Sequence, residues 1–381
     1  MRLAIISHAL LEEEHLKNVT ALGRIPGNEA LAVVPSQGPV TLSHGVRAAA
    51  RADVQALQSW WLRGQIVFWP PALRVHDFRP DLVHVDYPPW SLTFWQAALA
   101  ARLARPRAAL VCTVKKNTYR RYSGPIGWSK AIVAAAGFRI ADGVEFSSAV
   151  AQDAIFDRFP SVRALPSAVL THQAVDVTLF APGARERPAR GPFLVGYAGR
   201  MDADKALDIL VHAAQEVRQR LDADVRVVVM GTGPDADDLK HRAKDVTWLR
   251  VLAPVPMREV AAFLRTLDLF VLPSRVRLDH EEHDAHALLQ AAACGVPSIA
   301  TASGINPEIV AAGVGLLVEP DDVDALAAAM QAIVTDSGLG RELAERSRRA
   351  AETHFAIEVV ARARMNFYEG VIRGRRRRNA S

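Results

Sequence analysis

The chain has 381 residues, of which half are apolar and 23% are charged, the composition of an ordinary globular protein. That length is sufficient for two domains. Its two cysteines, Cys112 and Cys294, both lie in apolar segments. This excludes a disulfide scaffold and indicates a reducing compartment. The N-terminal apolar run is short and is followed by three acids, so it predicts a strand instead of a signal peptide, and no apolar run is long enough to span a membrane. We therefore expect a cytoplasmic protein.

The net charge of +5 comes from 46 basic and 41 acidic residues. Five C-terminal arginines, Arg373 and 375–378, equal the whole excess, so we do not expect a nucleic-acid partner, which would usually meet a basic field on the folded body. We interpret 373–381 as a solvated, disordered basic tail. The alternative is that this tail contacts an anionic membrane peripherally, on its cytoplasmic face.

Strand-like segments alternate with helical ones, which favours α/β architecture with parallel sheets and crossover helices. In the first half we predict strands at 2–7, 30–34, 65–69, 81–85 and 108–114, and helices at 92–103 and 129–140. The segment 181–192 is rich in proline, glycine and charge and predicts a domain boundary. Beyond it we predict strands at 194–197, 225–230, 248–252 and 269–272. We therefore expect two successive Rossmann-like domains, 1–185 and 190–355.

The stretch 269–318 predicts strand, loop, helix, strand, loop and helix in that order. The first helix, 285–293, is ended by Gly295 and Pro297, and Asn306 is the expected N-cap of the second. Each loop then follows the carboxyl end of a parallel strand and precedes a helix N-terminus. Backbone N–H groups at such an edge bind anions.

A second stretch, GYAGRMDADKALDIL, places Arg200 and Lys205 between a strand and an amphipathic helix. Positive charge at this point could bind an anionic group, the arginine through a planar fork and the lysine as a compact charge. The alternative is a solvated helix start. The glycines of Gly231-Thr232-Gly233 are explained as well by a tight turn as by phosphate binding.

These stretches, with EEHDAHALLQAAACGVP, resemble the donor site of glycosyltransferase family 4, whose members are retaining, nucleotide-sugar-dependent enzymes. The family has one Glu, seven intervening residues and a second Glu. Glu282 matches the first, and Gln290 stands at the second. The resemblance implies the GT-B architecture, in which two Rossmann-like domains face a central cleft. It also implies that the last helix, 356–372, packs back onto the first domain.

The resemblance also implies roles for individual residues. Arg200 and Lys205 would stabilise the leaving diphosphate, and Glu282 would bind donor-sugar hydroxyls, which makes these three the expected catalytic residues. Gly199, Asp284, Ala285, His286 and Gln290 complete the expected donor site, with Gln290 at the ribose. The chain departs from the family at Ala206, where a glycine is usual, at Asp284-Ala285, where Phe-Gly is usual, and at Lys115, near the place of a histidine. Lys115 could support negative charge or could be a solvated strand end.

The histidines His280, His283 and His286 suggest a metal cluster, but on a helix this spacing rotates by about 60° per step, so all three cannot face one ion. We expect no metal and no cofactor apart from the nucleotide-diphosphate sugar as co-substrate. Two hypotheses remain. The protein is a retaining, metal-independent glycosyltransferase acting on a glycan, lipid-linked or small-molecule acceptor, or it is a degenerate GT-B subunit that binds a nucleotide sugar or a partner.

Overall fold

A computed structural model describes residues 1–11, 13–35, 54–57, 59–62, 65–68, 75–104, 108–115, 124–170, 174–183, 191–277, 280–283 and 285–378. The chain divides into two units. Unit 1 comprises Met1–His172 and Ile357–Ser381, and unit 2 comprises Gln173–Ala356. Residues 174–183 therefore belong with unit 2, although the composition of 181–192 suggests a boundary further along the chain. Phe180, for example, is fully buried in the core of unit 2.

Unit 1 is built on a parallel sheet of order β3-β2-β1-β6-β7-β8-β9. Its central strands are buried along their length, as expected for a sheet covered on both faces. The strands are β1 (Arg2–Ile6), β2 (Glu29–Pro35), β3 (Val54–Leu57), β4 (Ser59–Leu62), β5 (Gln65–Phe68), β6 (Leu82–Val85), β7 (Ala109–Val114), β8 (Gly143–Phe146) and β9 (Ser167–Val169). The helices of this part are α1 (Glu13–Arg24), α2 (Val75–Phe78), α3 (Leu92–Ala104), α4 (Gly124–Ile140) and α5 (Ala149–Arg158).

The predicted strand at 65–69 is not part of the parallel sheet. Its residues form β5, which pairs antiparallel with β4 as a separate two-stranded sheet. Only residues 63–64 separate the two strands in the sequence. A connection of two residues forms a hairpin, because a parallel pair requires a crossover of a dozen residues or so. The strand that pairs with β2 at this edge of the parallel sheet is β3.

Unit 2 contains a parallel sheet of order β12-β11-β10-β13-β14-β15. Its strands are β10 (Phe193–Arg200), β11 (Val225–Thr232), β12 (Leu249–Leu252), β13 (Leu269–Leu272), β14 (Ser298–Thr301) and β15 (Leu316–Val318). Its helices are α6 (Leu207–Leu221), α7 (Ala236–Asp245), α8 (Met257–Thr266), α9 (His286–Ala293), α10 (Asn306–Ala311), α11 (Val323–Thr335) and α12 (Ser337–Ala350). Strand order reverses between β10 and β13. Open α/β sheets bind ligands at the carboxyl ends of strands at such a switch point.

The last helix, α13 (Ile357–Arg378), is tied to unit 1 by buried polar contacts. The Arg364 guanidinium donates to both carboxylate oxygens of Glu145 on β8, at 3.0 and 2.9 Å. Tyr368 hydroxyl lies 2.5 Å from Nδ1 of His84 on β6. Burial lowers the pKa of His84, which favours its neutral form. The helix is thus held by specific pairs as well as by apolar packing.

The interpretation of 373–381 as a disordered tail is wrong as far as Arg378, because α13 continues through that residue. Arg375 and Arg378 both pair with the Asp142 carboxylate, and Arg378 does so at 3.2 Å. Positive side chains at a helix C-terminus also interact favourably with the helix dipole. Residues 379–381 lie outside the described part of the chain. The run of arginines is evident in the sequence, but their partner is not, because Asp142 lies more than 230 positions before Arg375.

The turn between β10 and α6 contains a residue under backbone strain. Ala206 has φ 47° and ψ 44°, the left-handed conformation, and its side chain is fully buried. This conformation costs an L-residue with a Cβ about 1–2 kcal/mol, whereas glycine adopts it readily. Glycine, the usual residue of the resembling family at this position, therefore suits the backbone better.

We expect Ala206→Gly to be nearly neutral for stability, because relief of the left-handed strain offsets the loss of a buried methyl group. Ala213 is a matched control, since it is equally buried but lies inside α6. There Ala213→Gly should cost about 2 kcal/mol, from lost burial and poorer helix propensity. Denaturant titration of both variants measures the difference. Equal losses at the two positions would contradict the strain at Ala206.

Arg364→Met should lower the free energy of unfolding by about 3–5 kcal/mol, because it leaves the buried Glu145 carboxylate unpaired. Arg373→Met is the control on the same helix, since Arg373 pairs with Glu369 at the surface. A surface pair contributes about 0–1 kcal/mol. Thermal and denaturant unfolding should also show that Glu145→Leu restores much of the stability lost in Arg364→Met. Similar losses for Arg364→Met and Arg373→Met would refute the role given to the buried pair.

Candidate functional site

The switch point of unit 2 brings together two of the three expected catalytic residues. Lys205 lies in the turn after β10, and Glu282 lies in the loop between β13 and α9. Lys205 Nζ donates to Glu282 Oε2 at 2.5 Å, although the residues are 77 positions apart. The Lys205 side chain is 12% exposed and that of Glu282 is 1% exposed. The two opposite charges are thus paired and largely removed from water.

Glu282 is positioned by residues from both loops of the 269–318 stretch. The Ser274 hydroxyl, just after β13, donates to Glu282 Oε2 at 2.5 Å. The Glu282 backbone N–H donates to the Ser303 hydroxyl at 3.0 Å, and the Ile305 N–H donates to the Glu282 carbonyl at 2.9 Å. Sequence reasoning missed Ser274 and Ser303, although each serine follows a buried strand. Their position at the carboxyl ends of β13 and β14 is the sequence feature that could have identified them, because ligands bind at this edge of such sheets.

The second loop differs in one respect from the prediction. Asn306 is buried as the first residue of α10, and Ile305 occupies the N-cap position that was expected for Asn306. Asn306 Nδ2 instead donates to the Thr301 carbonyl at 3.0 Å. The asparagine therefore holds the end of β14 against the start of α10. An N-cap signature does not distinguish these two roles, because both use a short polar side chain at a helix start.

Arg200, the third expected catalytic residue, points its guanidinium to the Asp202 carboxylate, and its side chain is 68% exposed. Its backbone carbonyl accepts a hydrogen bond from the Tyr197 hydroxyl at 2.5 Å. Gly199, next to it, has φ +151° and pairs in register with Gly231. A Cβ on Gly231 would lie 1.8 Å from the Gly199 carbonyl oxygen, so the close approach of β10 and β11 requires glycine there.

Helix α9 begins directly after this loop. Ala285 is its N-cap residue and is buried, and an alanine has no side-chain acceptor for the first N–H groups of the helix. His286 and Gln290 lie one turn apart on α9, and Gln290 is 6% exposed with its amide 3.6 Å from the Met257 sulfur. Asp284 lies outside the described residues.

The histidines of the loop do not form a common ligand set in the described part of the chain. The rings of His280 and His283 meet edge to face at 5.6 Å, and His280 Nδ1 lies 3.7 Å from the Asp204 carboxylate. Among the residues that the structure describes, no group of three or more His, Cys, Asp or Glu side chains is placed to hold a metal ion.

Unit 1 has a second polar cluster, at the carboxyl ends of β1, β6 and β7. The Ser7 hydroxyl and Lys115 Nζ both donate to Asp86 Oδ2, at 2.6 and 2.8 Å. All three residues line a cavity of about 40 Å³. Lys115 is therefore a half-buried, ion-paired residue instead of a solvated strand end. Asp86 was missed because a lone Asp before Tyr-Pro-Pro is typical of a turn.

His8 lies beside this cluster. Its Nδ1 is 2.6 Å from the Tyr87 hydroxyl, and its pKa is lowered by burial and by the charge of Lys115. A neutral imidazole at this strand end can donate one hydrogen bond and accept another. The cluster therefore combines a carboxylate, an ammonium group, two hydroxyls and one imidazole, a set suited to polar ligands.

Residues 184–354 match the family model for glycosyl transferases group 1. The chain is 27% identical over 394 residues to the glycogen synthase of Mycobacterium tuberculosis, across 97% of this chain and 90% of that one. It is 34% identical over 265 residues to the GDP-mannose-dependent alpha-(1-6)-phosphatidylinositol monomannoside mannosyltransferase of Mycolicibacterium smegmatis, across 64% of this chain and 67% of that one.

Solved structures share the fold along almost the whole chain. Sucrose-phosphate synthase from Thermosynechococcus elongatus gives a TM-score of 0.73 at 19% identity, covering 97% of this chain and 99% of that one. Anabaena HepE, solved with UDP and glucose, gives 0.70 at 17% identity, covering 97% and 100%. The predicted α/β class with two Rossmann-like units of the GT-B type is thus confirmed. The chain belongs to the glycosyl transferases group 1 family, and its enzyme class is that of a glycosyltransferase.

Proposed function

We propose that this protein is a retaining, metal-independent glycosyltransferase of family 4 that moves a sugar from a nucleotide-diphosphate sugar to an acceptor hydroxyl. The observation that carries the proposal is the buried Lys205–Glu282 pair at the switch point of unit 2. Similar proteins support the donor class. HepE is solved with UDP and with UDP-glucose, and the Mycolicibacterium smegmatis relative is described as GDP-mannose-dependent. A uridine or guanosine diphosphate sugar is the donor we propose.

The diphosphate that leaves must be stabilised as the glycosidic bond breaks. Lys205 supplies a positive charge that is already held in position by Glu282, so little reorganisation is needed when charge develops. The first N–H groups of α9 add donors and a favourable dipole. Arg200 is exposed on the surface of unit 2, so its side chain can turn from Asp202 to the diphosphate at little cost.

Glu282 binds the donor sugar in this mechanism and is not a nucleophile. Its carboxylate accepts from Lys205 and Ser274, which reduces its nucleophilicity. A carboxylate has about four lone-pair sites. Since the Glu282 side chain is 1% exposed, the mechanism requires neighbouring side chains to shift when the donor binds, so that a sugar hydroxyl reaches this carboxylate. Displacement then occurs on the face where the diphosphate leaves. A diphosphate oxygen takes the proton of the acceptor hydroxyl while the new glycosidic bond forms, and configuration at the anomeric carbon is retained.

Acceptor binding is assigned, in this proposal, to the polar cluster of unit 1. Asp86 and Lys115 lie at the carboxyl ends of β6 and β7, the edge at which open α/β sheets bind ligands. The carboxylate can accept from an acceptor hydroxyl, and the ammonium can donate to one. These groups would orient an acceptor, for which a glycan, a lipid-linked sugar and a small molecule are the candidate classes.

A second candidate function is that of a nucleotide-sugar-binding subunit without turnover. Two observations favour it. The Gln290 amide is buried beside the Met257 sulfur, and the Arg200 guanidinium pairs with Asp202. A donor site weakened at the ribose and at the diphosphate could bind without reacting. Both candidates require nucleotide binding, so turnover separates them.

The decisive experiment compares binding with turnover in the presence of a chelator. UDP, GDP and their sugars are screened for thermal stabilisation, and release of nucleoside diphosphate from the stabilising donor is then followed. A ligand at 100 times its dissociation constant stabilises by about 2.7 kcal/mol. We expect one base to stabilise the protein and its sugar donor to be hydrolysed slowly with chelator present. Stabilisation without release would favour the binding subunit, and loss of release with chelator would contradict metal independence.

Arg200→Ala and Lys205→Ala test the proposed stabilisation of the leaving diphosphate. The loss of either positive group should raise the activation free energy of sugar transfer by about 2–4 kcal/mol. Lys240→Ala is the control, because Lys240 pairs with Asp237 on the exposed face of α7. Melting temperatures establish that each variant is folded, and Lys205→Ala should melt at a lower temperature because it leaves the buried Glu282 carboxylate without its positive partner. Near-normal turnover in both site variants would overturn the proposed mechanism.

Gln290→Glu tests the expected contact with the donor ribose. Without donor, a carboxylate buried beside the Met257 sulfur should destabilise the protein, since burial penalises the charged form. With donor, a charged acceptor should bind the ribose hydroxyl more tightly, by about 1 kcal/mol. We therefore expect a lower melting temperature without ligand and a larger donor-induced rise. Donor titration and single-turnover rates check this. An unchanged dissociation constant with a large rate change would place Gln290 at the reacting carbon instead.

A further inference from the structure

One segment of unit 1 contains basic residues and no acidic residue to balance them. Residues 87–141, which contain α3, β7 and α4, include nine basic residues and no acidic one. At the average for the whole chain, about six acidic residues would be expected in a segment of this length. The chain as a whole has a net charge of +5, so the rest carries −4, which is 5 minus 9. The nine are Arg102, Arg105, Arg107, Lys115, Lys116, Arg120, Arg121, Lys130 and Arg139.

The same segment exposes large apolar side chains. Leu99 and Leu103 on α3 are 63% and 71% exposed, and Trp128 and Ile132 on α4 are 74% and 64% exposed. Within each pair the residues lie four apart, so they share one side of their helix. The two helices pack against each other. We call these four residues the α3–α4 face. Clustered apolar exposure of this kind marks a surface that binds a partner.

The C-terminal end of α13 adds positive charge close to α3. Arg375 and Arg378 pair with Asp142, and Arg102 of α3 lies 3.9 Å from the same carboxylate. Three arginines thus surround one acid, which leaves a positive balance. Arg376 and Arg377, between the two paired residues, are exposed. The basic end of α13 and Arg102 of the segment 87–141 therefore meet at Asp142 on unit 1.

We infer that the α3–α4 face, together with the basic end of α13, docks on an anionic lipid bilayer. Trp128 and Ile132 would lie at the boundary between headgroups and acyl chains, where tryptophan is favoured. The exposed basic residues Lys130 and Arg139 of α4, together with Arg376 and Arg377, would attract anionic headgroups. Contact is peripheral, since among the described residues no helix is long and apolar enough to cross a membrane. This inference is independent of the glycosyl transfer proposed above.

Charge decides between a bilayer and a second copy of the chain. In a two-fold symmetric dimer the same patch meets itself. Two copies of this face would bring two basic segments together, with no acid in 87–141 on either side to compensate. An anionic surface has the opposite sign and attracts the segment as a whole. The bilayer therefore satisfies both the apolar and the charged components of the face.

Co-sedimentation with vesicles tests the inference on the full chain. We expect binding to vesicles of equimolar phosphatidylglycerol and phosphatidylcholine, little binding to phosphatidylcholine alone, and release as salt is raised. Trp128→Ser should weaken partitioning by about tenfold, and Arg376→Gln and Arg377→Gln by about fivefold each. Leu317→Ser is the control, because Leu317 is 40% exposed but lies on β15 of unit 2. It should leave partitioning unchanged.

Three outcomes would overturn the inference. They are absence of vesicle binding, equal binding to both vesicle types, and equal effects of Trp128→Ser and Leu317→Ser. Sedimentation equilibrium without lipid provides a further check. Dimerisation that Trp128→Ser abolishes would assign the face to a second copy. If Trp128→Ser lowers the melting temperature, Leu103→Gln on α3 replaces it, with the same expected direction and the same contradicting results.

Discussion

An almost completely buried carboxylate must be paired, and this requirement organises the candidate donor site. Glu282 satisfies it with Lys205 and Ser274, which come from the ends of two neighbouring strands, β10 and β13. Leaving either charge alone in this environment would cost several kcal/mol. The Glu282 position in the loop between β13 and α9 is therefore coupled to the turn after β10. In the proposed donor site, a diphosphate that approaches Lys205 would meet a positive charge already held in place by Glu282.

Local patterns predicted the part of the site that is determined by neighbouring residues. β13 lies where its apolar run and the following Pro-Ser indicated, and α9 ends at the expected Cys294-Gly295 signal. The positions of Lys205 and Glu282 followed from two separate stretches, but no pattern in either stretch indicates a 2.5 Å contact between them. The orientation of Arg200 also could not be predicted, because its partner, Asp202, competes with any ligand for the same guanidinium.

Features that depend on distant partners were missed for a physical reason. α13 is helical to its basic end because Asp142 and Glu145, on or next to β8, accept from its arginines. Asp86 is recognised as a site residue only in the fold, because the order of β1, β6 and β7 places Ser7 and Lys115 beside it. Sequence spacing conveys helix and strand periodicity, but it contains no signal for pairs that only the sheet order brings together.

The charge distribution shows why a balance over the whole chain can mislead. The C-terminal arginines equal the net excess, which suggests a neutral body with a basic tail. In the fold, two of those arginines are paired with Asp142, and the larger asymmetry lies in 87–141, masked in the total by acids elsewhere. Attraction to a charged surface depends on local density within about 10 Å, the screening length, and not on the sum. If unit 1 binds lipid, an acceptor embedded in that lipid is concentrated beside the unit that contains the Asp86–Lys115 cluster.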